Sequence, residues 1–207
     1  DISLPEEQQM LVAELKKTGK PVIVLVMCGR PVIFNEAKKH ADAVLCTWWL
    51  GSEAGNAIYN VLSGKYNPSA KLPMTFPAHV GQIPIHYQQK STGRPTSLKQ
   101  AFTASYIDSS TEPAYYFGHG LSYSTFGYSD LDVKPGKTSG THALVSVKVT
   151  NQGQYAGEEI VQLYVQDKTA SITRPIKELK GIRKIKLEAG ESQTVTFSIT
   201  DEAVGFY

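Results

Sequence analysis

The run FGHGLSYSTF, residues 117–126, constrains this chain more than any other stretch. Gly118 and Gly120 interrupt it, and each glycine weakens regular structure and invites close backbone approach. A helix or an ordinary strand is excluded, so the segment reads as a folded junction pinned by buried rings. The hydrophobic pattern changes across it. Before it, continuous apolar runs alternate with helical segments; after it, apolar and polar residues alternate singly. That order predicts an α/β half followed by an all-β half.

In the first half, residues 3–18 read as a helix. Ser3 can cap it, Pro5 suits its first turn, Glu6 and Glu7 favour the positive end of its dipole, and Gly19 stops it. Met10, Leu11 and Leu15 supply an apolar face. PVIVLVMCG at 21–29 and ADAVLCTWW at 41–49 are continuous apolar runs, as expected of buried parallel strands. Short helices are predicted over 35–41 and 51–62, which makes the order β-α-β-α. LPMTFP at 72–77 suits an edge strand, because its two prolines cannot donate to a ladder. Periodicity disappears over 78–126, a stretch long enough to be a wrapping or functional loop. The expected division is therefore 1–77, 78–126 and 127–207.

After the junction, strands are predicted at 128–133, 142–151, 159–166, 177–187 and 192–200, with turns at Pro135-Gly136 and Ala189-Gly190. Five strands fall short of the roughly seven that a fibronectin-type sandwich needs, so the sandwich is expected to be incomplete. The 21 basic and 19 acidic residues are well mixed and sum to +2, which leaves no basic stripe for nucleic acid. No apolar stretch is long enough for a membrane-spanning helix. Cys28 and Cys46 lie inside the apolar runs and read as free core thiols, with a bridge between neighbouring strands left open. His40, His79, His86, His119 and His142 show no metal-ligand spacing, and no cofactor fingerprint occurs.

Several blocks in order carry a resemblance: Gly19-Lys20-Pro21, Gly29-Arg30-Pro31, residues 48–62, NPSAKLPMTFP at 67–77, VGQIPIHY at 80–87, TGRP at 92–95, FGHGLSYSTF, and RPIKELKGIRKIKLEAGES at 174–192. Together they resemble the C-terminal half of a family-3 glycoside hydrolase of the bacterial β-glucosidase type. The resemblance implies part of an α/β sandwich domain joined to a fibronectin type III-like domain. It also implies retaining hydrolysis of β-linked glucosides by an aspartate and a glutamate about 5 Å apart. In the family both carboxylates lie upstream of the position of Asp1, so no catalytic residue is carried over. Further implications are a β-glucoside or oligosaccharide substrate, an upstream barrel domain as partner, no cofactor, and a periplasmic or secreted location. A homodimer is allowed, because an unfinished sandwich leaves strand edges unpaired. The family usually has glycine where Ala70 stands, so that position does not need positive φ here.

Three residues are candidates for proximity to substrate. Arg94 sits on the long loop, where a forked guanidinium suits hydroxyls or carboxylates; anchoring the loop is the competing role. Trp48, beside Trp49, could stack on a pyranose or fill the core; on a strand the two rings would point to opposite faces. Glu53 follows the second strand at the end where open α/β sheets bind ligands, yet a glutamate in a first helical turn is also good dipole chemistry. The structural role is preferred for Glu53. Two other readings stay open: a self-contained hydrolase using Glu53, and a carbohydrate- or protein-binding module.

Overall fold

The apolar runs form β1 (Ile23–Val26) and β2 (Ala43–Cys46), separated by α2 (Asn35–His40) and flanked by α1 (Glu6–Lys16) and α3 (Ala54–Leu62). The two strands pair in parallel, Ile23 opposite Ala43 and Val26 opposite Cys46. The computed structural model describes residues 2–95 and 102–205; Asp1 and residues 96–101 of the expected wrapping loop lie outside it.

Helix α1 starts later than its sequence suggests. Pro5 takes the N-cap position, and Ser3 instead bridges to Ile33, with Leu4 N–H donating to the Ile33 carbonyl at 2.9 Å. The helix is also turned from its expected face. Met10, Leu11 and Leu15 are exposed, and Val12 is the buried residue. Polar partners explain this. Gln9 donates to the Leu4 carbonyl at 3.0 Å and accepts from Glu36 N–H at 3.2 Å, and Lys16 pairs with Asp42 at 2.6 Å. Gln9, Val12 and Lys16 share one helical face, so these bonds hold it inward. The hydrogen bonds from Lys16 and from Val22 N–H hold the Asp42 carboxyl below its usual range.

Val12, Val26, Cys28, Val32, Phe34, Ala37 and Phe76 form the core of this unit. Phe76 comes from LPMTFP, which makes only an isolated bridge to Tyr115 instead of an edge strand. Prolines on both sides remove the donors a longer ladder would need. The Phe76 ring meets Phe34, Trp48 and Tyr115 at centroid distances of 6.3, 5.8 and 6.4 Å. Both cysteines are free, and burial pushes the Cys46 thiol up to about 11. The loop that follows is ordered around buried Gln82. Its amide oxygen accepts from Ala78 N–H at 2.6 Å, and its nitrogen donates to the carbonyls of Ser110 and Glu112 at 3.3 and 3.1 Å.

Five strands follow: β3 (Phe126–Pro135), β4 (Thr141–Asn151), β5 (Gly157–Val165), β6 (Glu178–Leu187) and β7 (Ser192–Thr200). One sheet has the order β3-β4-β7 and the other pairs β5 with β6, all antiparallel. A register shift between Ser129 and Asp132 holds Asp130 at φ 53°, a bulge in β3. Single alternation places Ala143, Val145, Val149, Val161, Leu187, Val195, Phe197 and Ile199 inside. Phe197 is a core residue, whereas Tyr155 is exposed because it lies in the turn between β4 and β5. Buried Asn151 fixes that turn by donating to the Tyr155 carbonyl at 2.8 Å and accepting from Gly153 N–H at 2.9 Å.

Compactness groups the chain into two units: Asp1–Leu62, Leu72–Tyr87 and Thr92–His119 in one, and Ser63–Lys71, Gln88–Ser91 and Gly120–Tyr207 in the other. In the second unit Ile176 N–H donates to the Gln89 carbonyl at 2.8 Å, which accounts for the short middle segment.

Arg174 donates to Glu178 at 2.7 Å, and Lys180 lies 3.5 Å from the same carboxylate. Burial pushes the Glu178 carboxyl up, but the Arg174 hydrogen bond and the two cations outweigh it, so it lies below its usual value of 4.5. A depressed carboxyl contributes stability that is complete above its unfolded value and is lost as pH falls through its folded value. The melting temperature should therefore drop on acidification below pH 4.5. Glu178→Gln should lower the melting temperature at neutral pH and flatten that drop. An unchanged slope in a pH series of thermal melts would exclude Glu178 as its source.

Candidate functional site

The C-terminal ends of β1 and β2 are where an open parallel sheet offers a site. The ladder stops at Cys46, and Thr47 N–H closes it on the Val26 carbonyl at 3.0 Å. Trp48 then takes φ 53°, an unusual conformation for so bulky a residue. The turn sends Trp48 inward onto Phe76. Trp49 is 82% exposed, and its indole edge lies over Gly29, where a Cβ would sit 3.4 Å from the ring. The neighbouring tryptophans do separate, one in and one out, but through a kinked backbone beyond the strand.

Glu53 is exposed just before α3, and its carboxylate accepts from the Asn56 amide at 2.6 Å. Its carbonyl accepts from Ala57 N–H at 2.9 Å, as at the start of a helix. Arg94 is exposed, and its carbonyl accepts from Ala104 N–H at 2.7 Å. Among the described residues no hydrogen bond or ion pair joins Arg94, Trp48 and Glu53. No group of three or more His, Cys, Asp or Glu among them could hold a metal ion.

A polar assembly lies elsewhere, built partly from the two quoted motifs, and the sequence reading gave its side chains no individual role. Asn67 of NPSAK accepts from Ser122 Oγ at 2.7 Å and from Tyr123 N–H at 2.8 Å, and donates to the Ala156 carbonyl at 3.0 Å. Lys71 Nζ donates to the Gly120 carbonyl at 2.9 Å and lies 3.2 Å from Glu159, with side-chain exposures of 16% and 10%. Tyr128 donates to the same Glu159 at 2.8 Å; burial and this bond raise its phenol. The adjacent Glu158 accepts from Tyr66 at 2.6 Å and pairs with Lys184 at 2.8 Å. Those two bonds hold the Glu158 carboxyl below its usual range.

Two motifs thus meet through Asn67, Lys71 and Gly120. Ala70 is not among the positive-φ residues, and its carbonyl oxygen would lie 2.1 Å from a Cβ placed on Gly120. The same FGHGL run also serves the first unit. Gly118, at φ 80°, donates to the Leu72 carbonyl at 2.7 Å, and the His119 carbonyl accepts from Leu72 N–H at 2.7 Å. The only direct signal for this in sequence is the glycine content of the run.

The carboxylates Asp42, Glu158, Glu159 and Glu178 are each bound to a cation.

The glycosyl hydrolase family 3 C-terminal domain matches residues 1–123, and the fibronectin type III-like domain matches residues 159–207. The chain belongs to glycoside hydrolase family 3. It is 46% identical over 210 residues to the periplasmic beta-glucosidase of Salmonella typhimurium, with 100% of this chain and 28% of that protein covered. It is 42% identical over 201 residues to a beta-xylosidase of Formosa agariphila, covering 96% of this chain and 27% of that protein. The crystal structure of beta-glucosidase from Listeria innocua in complex with glucose superposes with a TM-score of 0.93 at 42% identity, over 100% of this chain and 29% of that one. The chain thus spans less than a third of the length of these relatives. In this chain, β3 and β4 lie outside both matched regions yet share a sheet with β7.

Proposed function

We propose that this chain is the C-terminal part of a retaining β-glucosidase, and that within it the chain is architectural. The observation that carries this reading is the 46% identity to a periplasmic beta-glucosidase along 100% of the chain. Retaining hydrolysis needs two carboxyl groups about 5 Å apart across the scissile bond. On this reading they come from the upstream part of the protein, and the chain closes the α/β layer and shapes the rim of the cleft. The name of the Salmonella relative also favours a periplasmic location.

Of the three candidate contacts, exposure favours Arg94, whereas the packing of Trp48 on Phe76 favours a core role. Glu53, bonded to Asn56, serves the start of α3. The beta-xylosidase relative supports a second reading of the substrate, a β-xyloside. The test is release of p-nitrophenol from aryl β-glucoside and aryl β-xyloside. The full-length protein should turn over one of them, the glucoside on the favoured reading, and this chain alone should give no rate above buffer. Turnover by the isolated chain, abolished by Glu53→Gln, would make the α/β unit catalytic and overturn the architectural role.

A further inference from the structure

Two thiols meet in the core of the first unit. Parallel pairing sets Val26 opposite Cys46, and Cys28 follows Val26 by two residues, on the same side of the chain. Cys28 is 8% exposed within the cluster built on Val26, Phe34 and Phe76, and Cys46 packs half-buried against that cluster. The two thiols lie within hydrogen-bonding reach of one another, and each is free. Among the described residues no third His, Cys, Asp or Glu joins them in a group that could hold a metal ion. Facing thiols share one further chemistry, oxidation to a disulfide.

We infer that Cys28 and Cys46 are a redox couple that a small-molecule disulfide oxidises to an intramolecular bond, stapling the C-terminal ends of β1 and β2. Such a bond needs Cα atoms within about 7 Å of each other. Neighbouring strands lie about 4.8 Å apart, and the ladder ends at the Val26–Cys46 pair. Cys28 therefore sits past the last residue that the ladder holds, and its backbone can close onto Cys46 without breaking a ladder hydrogen bond. The more exposed Cys46 reacts first. Its thiolate attacks one sulfur of the oxidant, which forms a mixed disulfide and releases one thiol. The Cys28 thiolate then attacks the Cys46 sulfur, which forms the Cys28–Cys46 bond and releases the second thiol. Two electrons pass from the cysteine pair to the oxidant, and the two cysteine protons end on the released thiols. Burial pushes the Cys46 thiol up to about 11, so its thiolate is scarce at neutral pH and exchange is slow. The inference needs no carboxylate pair and no substrate, so it stands apart from the glycosidase reading.

The test is equilibration of the native full-length protein with oxidised and reduced glutathione at mildly alkaline pH, for times on the order of hours. Acid quenching and tryptic mass mapping follow. Lys38 and Lys39 lie between the cysteines, so trypsin separates them and a bridge appears as two linked peptides lighter by two hydrogen atoms. The linked pair should accumulate as the buffer becomes more oxidising and vanish on reduction. Amide exchange in the peptide carrying Thr47, whose N–H closes the ladder on the Val26 carbonyl at 3.0 Å, should slow about tenfold on oxidation. Thiols that stay reduced at every ratio would overturn the inference. So would a lasting glutathione adduct on Cys46, or a linked pair that forms only after denaturant is added. Exchange at Thr47 that ignores the bond would overturn the staple. Each of these readings is made on the unsubstituted protein, so none depends on a variant that folds.

Discussion

Gly120→Ala should lower the melting temperature of the sandwich unit by about 12–24 °C. The added methyl carbon would lie 2.1 Å from the Ala70 carbonyl oxygen and 3.1 Å from its carbonyl carbon and from Lys71 Cδ. Backbone is the obstacle, so a side-chain rotation cannot clear it. Overpacking of this kind costs about 3 kcal/mol, the upper part of the usual range. In a unit of this size each kcal/mol moves the midpoint by about 4–8 °C. The displacement would also pull the Gly120 carbonyl from Lys71, which holds it at 2.9 Å. Gly55→Ala is the matching control. It lies in α3 with nothing within 4 Å of its added Cβ, and helix propensity should make it stabilising by about 0.5–1 kcal/mol. Melts followed by circular dichroism would decide it, and a Gly120→Ala chain that melts like the parent sequence would sink the close-approach argument.

The second large effect comes from the buried ion pair. Lys71→Met should cost about 3–5 kcal/mol, because it leaves the Glu159 carboxylate in the interior without its cation. Tyr128 would remain as a donor at 2.8 Å, but one neutral hydroxyl does not replace a charge. The pair itself need not be stabilising relative to an apolar one. Glu159→Leu added to Lys71→Met should therefore recover most of the loss, since well-packed hydrophobic replacements of buried pairs are often neutral. Urea titration of the two single variants and the double variant gives the coupling directly. Simple additivity of the two losses would mean that the 3.2 Å contact carries no energetic weight.

These variants bear on how much of the molecule could be read from its residues. The sandwich strands were legible because period-two alternation on one buried face is a local signal, and β7 with Val195, Phe197 and Ile199 inside is a clean case. The parallel strands were legible as unbroken apolar runs. The inner face of α1 was not, because Gln9 and Lys16 face inward through partners distant in sequence, Glu36 and Asp42. Apolar spacing alone points to Met10, Leu11 and Leu15, which lie on the outside. The tryptophan pair was half legible. Opposite directions follow from chain geometry, but which ring goes inward depends on the φ of 53° at Trp48. The pairing of Lys71 with Glu159 was invisible for a similar reason: an ion pair across 88 positions leaves no periodic trace.

The placement of residues 63–71 has a consequence for how such proteins can exchange parts. By sequence order this segment precedes the loop and the sandwich, yet Tyr66, Asn67, Ser69 and Lys71 bond to Glu158, Ala156, Ser124 and Glu159 on the sandwich side. The neighbouring glutamates of β5 point to opposite faces of the strand, and each is met by this one stretch. A recombination break that brought in a foreign sandwich near residue 126 would separate those glutamates from their counterparts. The sandwich is therefore heritable only together with a short piece of the preceding domain, so the unit of transfer between lineages is larger than the fibronectin-like domain.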